Sequence, residues 1–185
     1  MKSRIKNYIS PAVSQPTMSS TAFSTTSTQQ REEMFRAISL TALLAGALDI
    51  TAAIIKFYID TQSGPAPLFK HIASAAFGPE AFTGGKLMMV WGIVFHFMIA
   101  FLFTAFLFLA YPKVSRWIRN KFVIGILYGL FTWAVMNLVV VPLSKINKFP
   151  AGTKQDIIAA LILIFMIGLP VALIAHNYYA RKKAI

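Results

Sequence analysis

Asp49 is the residue of this chain with the most chemistry in it. It is the only carboxylate in the body of a long apolar block, where an ionised group costs from ~2.5 kcal/mol upward. It must therefore face away from lipid and be either protonated or paired. His96, in the next apolar block, is its natural partner. Asp49 lies about 15 Å, and His96 about 13–14 Å, from the same end of their respective blocks at a helical rise of ~1.5 Å per residue. Asn137, in the third block, is shallower, at about 9 Å by the same rise. These three residues define an expected polar layer, and two readings of it stand. An Asp–His pair inside a membrane can relay protons or hold a cation. The same pair can be a structural hydrogen bond that locks the first two blocks together. Lys56, two turns further along the face of Asp49, is expected to run its ammonium out to the interface.

Other chemistries are poorly served. His71, His96 and His176 are too dispersed for the clustering of a metal site. The absence of cysteine excludes disulfides, thiolate catalysis and Cys-type zinc or iron–sulfur sites. No Walker loop, Gly-x-Gly-x-x-Gly, His-Glu-x-x-His or Gly-x-Ser-x-Gly is present. The expectation is a non-enzymatic protein with no catalytic residue, metal or cofactor.

The elements that hold the polar layer are legible from composition. Hydrophobic residues make up 57% of the 185 and charged residues 13%, against about 45–50% and 25% in soluble domains. The apolar residues fall in four blocks, about Ala37 to Tyr58, Leu87 to Leu109, Phe122 to Leu143 and Ile157 to Ala175. Each approaches the ~20 residues needed to cross a ~30 Å hydrocarbon core. Backbone polar groups in lipid must be satisfied within their own segment, so the blocks are helices. Tyr111-Pro112 is expected to end the second, and Gly168-Leu169-Pro170 to kink the fourth. In the 60–85 loop, Phe69, Ile72, Ala73, Ala76 and Phe77 recur at helical spacing between Gly64-Pro65 and Gly78-Pro79, with Gly84-Gly85 turning the chain into the second block. The expected fold is all-α: a four-helix transmembrane bundle with a short amphipathic helix in the first outer loop. The expected parts are a disordered basic tail over 1–33, a membrane domain over 34–180 and a basic C-terminal tail over 181–185.

Small and polar residues recur along each block at three- or four-residue steps or their multiples. The stripes are Ala42, Gly46, Asp49, Ala53; Gly92, His96, Ala100, Thr104; Gly125, Gly129, Trp133, Asn137; and Ala160, Gly168, Ala172, His176. Small residues let helices approach where no hydrophobic drive separates them from lipid. Gly46, Gly92, Gly125, Gly129 and Gly168 are thus expected packing positions in the bundle interior.

Lys and Arg outnumber Asp and Glu by 18 to 6. They lie in runs between the blocks rather than on one stripe, which suits lipid head groups and not nucleic acid. Those near the two termini and in the 110–121 loop outnumber those of the other side two to one, so both termini are expected to be cytoplasmic. The basic, Ser/Thr-rich segment before residue 31 has no apolar core and is no secretory signal; a plain tail, an over-long start and an organellar transit peptide are its readings. The expected location is the bacterial inner (plasma) membrane, with the mitochondrial inner membrane as alternative.

His96-Phe97, Tyr111-Pro112, Gly125, Tyr128-Gly129, Trp133, Asn137 and Pro142 together resemble the YagU-type family of small bacterial inner-membrane proteins. The likeness covers the second and third blocks. It departs from the family at Asn137, where the family has a histidine, and in the last block, which lacks the family's acidic and histidine residues. The resemblance implies a bacterial plasma-membrane location and no settled biochemical activity. The leading functional expectation is a structural or partner-binding membrane subunit, and the alternative a proton- or ion-linked small transporter or channel using Asp49 and His96. So small a bundle would transport as a homodimer or larger complex, with the Gly125/Gly129 face as the expected contact.

Overall fold

In a computed structural model the described residues are 20–150 and 152–183. Two compact units are distinguished, Met1–Met34 and Phe35–Ile185. In the first, residues 20–33 are helical, the leading part of α1 (Ser20–Thr61). The expected disordered tail is corrected over those positions, and residues 1–19 lie outside the described ones. The reason is local: Gln29-Gln30-Arg31-Glu32-Glu33-Met34 are good helix formers, and extending an existing helix costs far less than nucleating one.

The second unit is all α-helical among the described residues. After α1 come α2 (Ala66–Phe77), a 3₁₀ turn (Gly78–Phe82), α3 (Gly85–Trp117), α4 (Lys121–Leu143) and α5 (Lys154–Lys182). Helices α1, α3, α4 and α5 are each long and apolar enough to cross a membrane. The chain is a multi-pass α-helical membrane protein with a four-helix bundle fold. Leu43, Ile55, Val94, Leu102, Leu127, Val139 and Phe165 point outward, an apolar surface that suits a lipid surround.

The amphipathic loop helix is present as α2. Gly78 ends it at φ 72° and Gly85 opens α3 at φ 63°, left-handed values that a side chain would strain. Its neighbour loop fixes α2 in place: the Lys145 N–H donates to the Ala75 carbonyl (3.0 Å), and Lys70 Nζ donates to the Phe82 carbonyl (2.9 Å). Thr153 and Asp156 form a capping box that starts α5, with Thr153 N–H donating to Asp156 Oδ2 at 2.9 Å.

Three prolines lie inside the spans, and the helices absorb them in two ways. Each lacks an N–H and crowds the carbonyl four residues back. Before Pro142 and Pro170 the helix widens into a π turn, over Met136–Val140 and Ile164–Gly168. The next N–H groups, of Val141 and Leu169, then reach back five residues to the Met136 and Ile164 carbonyls. At Pro112 there is no such widening, and α3 runs on to Trp117 instead of ending at Tyr111-Pro112 as expected. The carbonyl that Pro112 leaves free, that of Phe108, accepts from Tyr179 Oη of α5 at 2.8 Å.

The packing glycines act in different contacts. A Cβ on Gly168 would overlap the Gly125 carbonyl oxygen and lie 2.8 Å from Gly129 N, and one on Gly129 would overlap the Ile164 backbone. Gly125, Gly129 and Gly168 therefore bring α4 and α5 of the same chain backbone to backbone. This corrects the expected homodimer contact: the Gly125/Gly129 face is already occupied within the chain. Gly46 sits against Phe97 and Ala100 of α3. Gly92 receives the Phe69 carbonyl of α2, so its contact is with the loop helix rather than another span.

Candidate functional site

Asp49, His96 and Asn137 line one chamber of about 220 Å³ in the second unit. All five helices contribute to its wall. Asp49 comes from α1, Ile72 from α2, His96, Ile99, Ala100 and Phe103 from α3, Thr132, Met136, Asn137 and Val141 from α4, and Leu163 and Ile167 from α5. The volume has room for several waters or one small ligand. The wall is mainly aliphatic and aromatic, so a charge brought into it interacts far more strongly with Asp49 than it would in water. Both π turns border the chamber: Met136 and Asn137 belong to the first and Ile167 to the second.

The expected direct Asp49–His96 pair is not formed. His96 Nε2 is hydrogen-bonded to the Gly46 carbonyl on α1 at 2.9 Å. Among the described residues Asp49 makes no ion pair, and the one that forms is Lys56–Asp60 at 2.6 Å. The physical reason is the helical register of α1. Gly46 lacks a side chain, so α3 approaches closely enough there for His96 to reach a main-chain oxygen, three residues before Asp49. Lys56 runs outward as expected, and ends on Asp60 one turn further. Asn137 Nδ2 donates to the Trp133 carbonyl (2.9 Å), which fixes its amide beside the π turn.

A second set of contacts, outside the reach of the sequence reasoning, joins the other end of α3 to α5. Tyr111 Oη and His176 Nδ1 share a hydrogen bond of 3.0 Å. Tyr111 and Tyr179 stack at 5.7 Å with their rings 4° apart. The only signal in the sequence was Pro112, three residues past the apolar run, which leaves the carbonyl four residues before it in need of another donor.

The chain matches no known family, curated protein or solved structure with which it was compared.

Proposed function

We propose that this membrane protein binds a proton or a small cation at Asp49, in the service of ion- or proton-linked transport across the bilayer. One observation carries the reading: the only carboxylate in the body of a span borders a chamber large enough for water or a small ligand. A carboxylate retained at that depth for helix packing alone would be expected to have its oxygens bonded by neighbouring helices. The two π turns on the chamber wall add support, since such turns within α-helices occur frequently at functional sites. Asn137 supplies an amide within one of them, and His96 an imidazole on the same wall.

The bond from His96 to Gly46 favours a second reading for that residue, in which it locks α1 to α3 and the protein serves as a structural or partner-binding subunit. Neither reading needs an enzyme. The resemblance to YagU-type proteins, and with it a bacterial plasma-membrane location, is a proposal resting on the residues quoted for it. So is the orientation, with both termini cytoplasmic, which rests on the excess of Lys and Arg. Cysteines placed singly at Lys70 and Arg116 should label from opposite sides of the membrane, and labelling from one side would overturn the topology.

Asp49→Asn tests the functional reading, because it keeps shape and hydrogen bonding but abolishes titration. In the reconstituted parent, Asp49 should give a protonated-carboxyl infrared band that changes with pH, and an applied pH gradient should drive a flux. The folded Asp49→Asn protein should lose both. A parent without a titrating carboxyl band, or a variant with undiminished flux, would assign Asp49 to structure.

A further inference from the structure

We propose that the pocket between the Trp117 end of α3 and the C-terminal end of α5 is a phosphate-anion site that seats the headgroup of one anionic phospholipid. The pocket holds about 590 Å³, and its polar lining comes from Tyr111, Ser115, Arg116, Arg119, His176 and Tyr179. No acidic residue lines it. Arg116 and Arg119 are exposed and take part in no ion pair among the described residues. Arg116, in the last turn of α3, and Arg119, in the short link that follows Trp117, line the same pocket, so two planar donor forks are available to one anion, a match for phosphoryl oxygens.

The floor of the pocket is built rather than incidental. Tyr111 is 2% exposed, held by its bond to His176 and by stacking on Tyr179. Tyr179 is itself anchored on the Phe108 carbonyl. The two arginines thus stand over a fixed aromatic and imidazole surface, unlike Lys113 of the same segment, which lies outside the pocket.

Depth points to a lipid as the source of the phosphate. The apolar run of α3 ends at Leu109, and Tyr111 follows about 3 Å further along the helix at ~1.5 Å per residue. Arg116 follows at about 10 Å by the same rise, and long basic side chains fold back toward the interface. The pocket therefore spans the level of the phospholipid phosphates, in the ~5–8 Å headgroup layer flanking the hydrocarbon core. A free phosphate or phosphorylated solute shares the chemistry but not this reason for the depth.

The full-length protein in a neutral detergent is titrated with dioleoyl phosphatidylglycerol, and bound lipid is counted by native mass spectrometry. One lipid should be retained tightly per chain, while dioleoyl phosphatidylcholine is not. Arg116→Gln with Arg119→Gln should weaken retention on the order of a hundredfold, from two lost charge-assisted contacts. In neutral micelles Lys113→Gln should change it by no more than about twofold, because no anionic surface is present to feel its charge. Arg116→Lys with Arg119→Lys keeps the charge and loses the forks, so most of the binding should go while the lipid-free melting temperature stays that of the parent. If inorganic phosphate binds in the same arginine-dependent way and displaces the lipid at matched concentration, the phosphate site stands and its occupant is a soluble anion. An equal loss in Lys113→Gln, or full retention in the double glutamine variant, would overturn the site.

Discussion

Pro112 and Tyr179 should be energetically coupled although they lie on different helices. Pro112 cannot donate to the Phe108 carbonyl, and Tyr179 Oη takes the place of the missing N–H at 2.8 Å. Phe108 is fully buried, so its carbonyl has no water to fall back on. Tyr179→Phe keeps the ring and its stacking on Tyr111 but removes the donor. Side-chain hydrogen bonds within membranes contribute ~0.6 kcal/mol on average and up to ~1.7. Leaving a buried acceptor bare moves the cost toward the ~1–3 kcal/mol of an unsatisfied group. We expect Tyr179→Phe to cost about 1.5 kcal/mol in the parent. In a Pro112→Ala background the new N–H can close the ordinary bond to Phe108, because α3 is already helical there. The same Tyr179→Phe should then cost only about 0.5 kcal/mol. The coupling of about 1 kcal/mol exceeds the ~0.3–0.5 kcal/mol scatter of additive pairs. Equilibrium unfolding in mixed micelles, followed by tryptophan fluorescence on the four proteins of the cycle, measures it. Equal costs of Tyr179→Phe in both backgrounds would refute the exchange of donors and leave the continuation of α3 past Pro112 without its explanation.

Gly168→Ala should destabilise the protein by about 1–2 kcal/mol, an overpacking cost of ~1–3 kcal/mol offset in part by better helix propensity. Gly64→Ala, where nothing lies within 4 Å of the new methyl, should leave melting unchanged or raise it; the reverse order in a melting experiment would remove the α4–α5 glycine contact. Desolvation, and secondarily the Lys148 ammonium, hold the His71 pKa below the usual histidine range. Because the charged form is disfavoured in the fold, its contribution to stability is complete above the unfolded value of about 6.5 and falls away as pH drops through it. The melting temperature should thus fall between pH 7.5 and 5.5 less steeply in His71→Gln than in the parent, as a pH series of melts would record.

Hydropathy and spacing alone determined the class of this protein, because the bilayer imposes a length and a backbone rule that any sequence must meet locally. Four apolar blocks, the α2 helix between its Gly-Pro signals and the interior placement of Gly46, Gly125, Gly129 and Gly168 follow from that rule. The similar depth of Asp49 and His96, with Asn137 somewhat shallower, followed from counting residues along helices of known rise. Which atoms meet within that layer did not. His96 bonds to a main-chain oxygen because Gly46 lets α3 come close, and a hydrogen bond to backbone has no side-chain signature to read. The π turns before Pro142 and Pro170 and the continuation of α3 through Pro112 likewise depend on what neighbouring helices offer. A proline frees a carbonyl everywhere, but only the packed bundle decides whether the helix widens or a tyrosine from another span takes the bond.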